Sequence, residues 1–122
     1  MFVRFVVGED REHHTELTGV ITEARALRDE GRLEPYEIEL LEESYSWLNE
    51  NLPCPPFAQR SWGRDCACWF KESAQSSIEK MWDIIAILRE HGMPVRMLRS
   101  RHPGRVLYED DFQVVVREFS HL

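Results

Sequence analysis

All three cysteines of the chain fall in one stretch, CPPFAQRSWGRDCACWFK at residues 54 to 71, together with Trp62 and Trp69. Thiols can hold a metal or act as nucleophiles, and their spacing decides which chemistry is open to them. Zinc sites use paired C-x-x-C or Cys/His spacings, because two intervening residues let a turn aim both ligands at one ion. C-A-C is not such a pair. The recurrence of Ala67, Phe70, Ala74, Ile78, Met81, Ile85 and Leu88 predicts one helix from Asp65 to His91, with Asp65 as N-cap and Gly92 as its stop. On that helix Cys66 and Cys68 would stand about 200° apart, so no metal site is expected. Cys54 and Cys66 read as buried structural residues. Cys68, at the helix start with Arg64 and Lys71 nearby, is the candidate reactive thiol, since the field of unpaired helix N–H groups lowers a thiol's pKa. Asp65 offsets part of that field, and no adjacent histidine offers a base.

The histidines do not assemble into a catalytic set. His13 and His14 are adjacent and would diverge by about 100° on a helix, His91 sits at a helix end, and His102 belongs to a turn. No Gly-rich phosphate loop or paired-carboxylate spacing stands out, so no cofactor is expected and an enzyme is the lesser expectation, open only through Cys68. The Glu-rich run EIELLEE, residues 37 to 43, reads as a solvated helix face.

Charge is the most informative pattern. Residues 1 to 59 carry 5 Lys/Arg against 13 Asp/Glu, residues 60 to 105 carry 9 against 5, and residues 106 to 122 carry 1 against 4. The chain is thus an acidic front, a basic middle and an acidic tail. A net charge of −7 argues against a general nucleic-acid binder, whose affinity rests on clustered Lys and Arg, but leaves room for a local basic patch. Arg96, Arg99, Arg101, His102 and Arg105 fall on one expected hairpin, and Arg60 and Arg64 flank Trp62 in the long loop. Arginine beside exposed aromatics is the composition of a phosphate, nucleic-acid or protein-binding surface. The competing reading is that these arginines pair with the protein's own acids.

The elements that position these residues follow from periodicity. FVRFVVG, residues 2 to 8, reads as a covered strand. Leu17, Val20, Ile21, Ala24 and Leu27 give a helix over residues 15 to 30, stopped by Gly31. Pro35 opens a second helix carrying Ile38, Leu41, Tyr45, Leu48 and Leu52. After the third helix, PVRMLRS, RVLYE and DFQVVVREF read as strands, the first two joined by a type II turn at HPGR, residues 102 to 105. A chain of 122 residues is one domain by size, 1–122. The expectation is an α+β fold ordered β-α-α-α-β-β-β, a mainly antiparallel sheet of about four strands with three helices on one face.

The segments CWFKESA and GRVLYEDDFQVVV resemble a family of small bacterial proteins of uncharacterised function, over most of the chain including the N-terminal strand. That resemblance implies a single α+β domain and no particular activity. The absence of a long apolar run and of a leader pattern leads to the expectation of a cytoplasmic protein that does not enter membranes. Three functional readings stand. The first is a non-catalytic interaction or regulatory protein that binds another protein, itself included as a homodimer. The second is a module for an anion, nucleotide or nucleic acid on the basic hairpin, and the third a thiol-dependent enzyme or redox protein centred on Cys68.

Overall fold

The computed structural model describes residues 1–8, 18–52 and 66–117. In chain order these form β1 (Phe2–Val7), β2 (Thr18–Gly19), α1 (Val20–Asp29), α2 (Pro35–Asn51), β3 (Cys66–Lys71), α3 (Gln75–Glu90), β4 (Val95–Ser100), β5 (Arg105–Glu109) and β6 (Gln113–Arg117). The class is the expected α+β, with three helices and an antiparallel sheet. The sheet is larger than expected: five strands, with the two-residue β2 added to its path, in place of four.

Two helices end as their glycines dictate. Gly31 (φ 71°) donates to Arg28 O and Arg32 to Leu27 O, while Gly92 (φ 77°) donates to Arg89 O and Met93 to Leu88 O. Both pairs satisfy the last helical carbonyls through a residue that needs positive φ, which glycine adopts without a Cβ penalty. At the other end of α1 the expected start moves: Gly19 is extended and pairs with β1, so the helix begins at Val20.

The expected helix over 65–91 is overturned at its front. Residues 66–71 form β3, and the helix begins only at Gln75. Ala67 and Phe70 fit a helical stripe continuing to Ala74, but Ala67 and Trp69 also alternate as a strand does. The strand wins because β6 supplies partners: Ala67 lies opposite Val116, and Trp69 opposite Val114.

The expected hairpin at residues 94–109 is also overturned. β4 pairs along its whole length with β1, and β5 pairs with β6. A strand has two edges; with β4 on one edge of β1, β2 and β3 divide the other, at Val6–Val7 and Phe2–Val3 respectively. The order across the sheet is therefore β4-β1-β3-β6-β5, with β4 and β5 on opposite margins. Gly104 has no positive φ, so the type II turn is not formed. Four strand spacings in a flat sheet cover about 19 Å, and five Cα steps reach only about 17 Å, so the short link from Ser100 to Arg105 requires the sheet to curl.

Two apolar clusters fill the two faces. Val3, Phe5 and Val7 of β1, with Val95, meet Leu27, Leu41, Leu48, Ile84, Ile85 and Leu88 of the helices. Phe5 also takes the edge of the Trp82 ring, centroids 5.0 Å apart. On the opposite, inward-curling face Phe2 and Leu98 pack against Ala67, Trp69, Val114 and Val116.

Candidate functional site

The cations singled out in the sequence separate into groups. Arg99 ends the edge strand β4 opposite Val3, Arg101 and His102 lie in the link, and Arg105 opens β5 opposite Arg117. All four are exposed. Arg99 and Arg105 are six residues apart, so the group lies within about 20 Å along the chain. Among the described residues the ion pairs are Arg28 with Asp29, Lys71 with Glu109 at 2.6 Å, and His91 with Glu37. None of the three exposed arginines takes part in them. His102 donates its backbone N–H to Ser100 Oγ at 3.2 Å.

Arg96 does not join this group. It sits opposite Val6 on the face that carries Leu98, is half-buried, and has its Nε enclosed. Arg60, Trp62 and Arg64 lie outside the described residues, as do Cys54, His13 and His14.

The cysteine geometry changes with the secondary structure. Residues 66 and 68 occupy a strand, where positions two apart share a face, so the argument that a helix separates them no longer holds. Among the described residues no cluster of three or more His, Cys, Asp or Glu could hold a metal. Cys68 is exposed, paired in register with Val115 in the interior of the sheet. The helix N-terminus that would have acidified its thiol lies instead at Gln75, seven residues on.

Sequence reasoning missed the contact between Glu37 and His91. Glu37 was placed on a solvated face, and Glu39, Glu42 and Glu43 are indeed exposed, but Glu37 is 2% exposed. Its carboxylate accepts the Glu34 N–H at 2.9 Å, and His91 Nε2 lies 3.1 Å from each oxygen. Glu34 reciprocates by capping the N–H of Glu37, forming a capping box at Pro35. The Glu34 N–H holds the Glu37 carboxyl below its ordinary range; burial works against this, and His91 adds to it. A carboxylate so fully engaged clamps two helices together. Beside it Tyr36 donates to Glu90 at 3.2 Å, and the charge of Glu90 raises the tyrosine's pKa. The E-x-x-E spacing before a Pro-initiated helix was the available signal for the capping half of this arrangement.

No protein family, curated protein or solved structure matches the chain.

Proposed function

We propose that the protein is a non-catalytic interaction protein that engages an acidic partner protein through Arg99, Arg101, His102 and Arg105. The observation that supports this reading is that three exposed arginines stay clear of ion pairs among the described residues, in a chain with a surplus of seven acids. Val106, 48% exposed beside Arg105, adds the apolar component that protein interfaces combine with arginine. The net negative field disfavours a polyphosphate at long range, which places a protein ahead of nucleic acid. A second copy offers the same complementarity, with the exposed Glu39, Glu42 and Glu43 of α2 as the acidic face.

The test compares the wild-type chain with the Arg99→Gln, Arg101→Gln, Arg105→Gln variant. Capture from a native lysate, with sedimentation to read self-association, should yield a protein or a dimer with wild type and lose it with the variant. Equal capture by both sinks the proposal. Capture abolished by nuclease treatment transfers the site to nucleic acid.

A further inference from the structure

Strand β4 has a second edge, and its hydrogen bonds fix which groups face it. The Gly8 N–H donates to Pro94 O at 2.9 Å, one step beyond the six register pairs that join β1 to β4. In an antiparallel ladder, hydrogen-bonded pairs alternate with pairs whose backbone groups point away. Arg96, Leu98 and Ser100 therefore bond to β1, while Val95, Met97 and Arg99 turn their N–H and C=O groups outward. Arg89 agrees with this direction, its guanidinium donating to Val95 O at 3.3 Å. Among the described residues no strand pairs with this edge, and nothing bonds to the outward N–H and C=O groups of Met97 and Arg99.

The two margins of the sheet are not equivalent. In β5 the register shifts between Val106 and Tyr108, and such a bulge breaks the regular spacing that an added strand needs. β4 runs in unbroken register over six residues and contains no proline. Its surroundings also differ along its length. Trp82, 37% exposed, meets Phe5, the register partner of Met97, and lies under the Arg89 guanidinium at 5.4 Å. The edge is thus apolar at Met97 and cationic at Arg99, with Arg101 beyond it.

We infer that β4 accepts an added antiparallel strand from an acidic partner protein, bonded through its backbone to Met97 and Arg99, with a carboxylate opposite Arg99 and an apolar side chain opposite Met97. Strand addition draws affinity from main-chain bonds and specificity from alternate side chains. Along the partner this pattern reads acid-x-apolar, preceded by acids that reach Arg101. β4 holds no acidic residue, so a second β4 in that place would bring two rows of arginine together, which like-charge repulsion disfavours. The inference rests on the reading of these arginines as a docking site and adds how the partner's chain is held.

The probe is the acetylated peptide EDEVEVVT, titrated into the full isotope-labelled chain with amide hydrogen exchange followed by NMR. Its fifth residue stands opposite Arg99 and its seventh opposite Met97. At saturation the Met97 and Arg99 amides should exchange about tenfold more slowly, while those of Arg96 and Leu98, already bonded to β1, should change little. N-methylation of the fifth and seventh residues, whose N–H groups face β4, should weaken binding by about tenfold, and N-methylation of the sixth should not. A peptide with lysine at every acidic position should not bind. Equal binding of the two methylated peptides overturns strand addition; if the Arg99→Gln, Arg101→Gln, Arg105→Gln variant then still loses the peptide, the arginines stand as a docking site without it. Methylation-sensitive binding that this variant retains in full overturns the acidic partner. No saturable binding overturns the inference, and protection of the same two amides on concentrating the protein without peptide overturns it in favour of a second copy.

Discussion

His91 Nε2 stands 3.1 Å from both carboxylate oxygens of Glu37, and the pair, 54 residues apart in sequence, fastens the last turn of α3 to the first turn of α2. The geometry places the imidazole at the C-cap of α3. The same carboxylate caps α2, so one side chain serves two helix ends.

Replacing Glu37 by Ala should therefore cost about 1 to 3 kcal/mol, because the Glu34 N–H and His91 lose a buried acceptor together. Its pH dependence has a definite sign. The folded-state pKa lies below the ordinary 4.5, so the contribution is complete above that value and is lost as pH falls through the folded pKa. Urea melts of wild type and Glu37→Gln should diverge most near neutral pH and converge as pH drops below about 4.5. Parallel curves at all pH values would mean that the charge of Glu37 contributes nothing.

Asp110 plays the corresponding part in the turn between β5 and β6. It accepts from Tyr108 Oη at 2.8 Å, from the N–H of Phe112 at 2.8 Å and of Gln113 at 3.0 Å, and from Gln113 Nε2 at 3.2 Å. Burial pushes its carboxyl upward, but these bonds outweigh that and leave the pKa lowered. Asp110→Ala should destabilise by about 1 to 3 kcal/mol at neutral pH, with Asp110→Asn intermediate, since asparagine keeps one oxygen for the turn. A change below about 0.5 kcal/mol in a chemical melt would show that the turn closes without it.

What was legible in the sequence was local. Gly31, Gly92 and Pro35 mark helix boundaries through their own backbone chemistry, and all three stand where that chemistry placed them. The segment CACWFK was not legible, because an apolar spacing of two and one of three or four coexist in it, and Val114 and Val116, more than forty residues on, decide between them. The hairpin failed for the same reason. Pro103 and Gly104 suggested a turn, but FVRFVV at the other end of the chain offered β4 a six-residue partner. Of the binding residues, sequence located the cations and could not distinguish exposed Arg99 from half-buried Arg96, which differ by sheet face.

The rotation of α3 makes a further test. Ile84, Ile85 and Leu88 are fully buried, whereas Ile78, expected on the central stripe, is half-buried at its margin. Ile85→Ala should cost about 2 to 5 kcal/mol, and Ile78→Ala should fall below that, because less apolar area is lost and solvent can refill the space. Equal losses in guanidinium melts would place Ile78 as deep as Ile85 and require a different helix orientation.

The exposed arginines separate binding from packing. An internal salt-bridge donor leaves an unpaired carboxylate when removed, and a triple replacement of such donors would take several kcal/mol from the fold. Arg99, Arg101 and Arg105 have no such partners among the described residues, so the Arg99→Gln, Arg101→Gln, Arg105→Gln variant should melt within a few degrees of wild type, each site contributing under about 0.5 kcal/mol. Their charge has one structural use, since β4 and β5 are margins of the sheet and charged edges resist pairing with other chains. Glutamine preserves polarity but not charge, so increased self-association of the variant, seen by light scattering, would assign the arginines to edge protection. An unchanged melt and a monodisperse variant, combined with loss of the captured partner, would leave binding as their role. A loss of several kcal/mol without any change in capture would make them part of the fold and remove the basic link from consideration as a docking site.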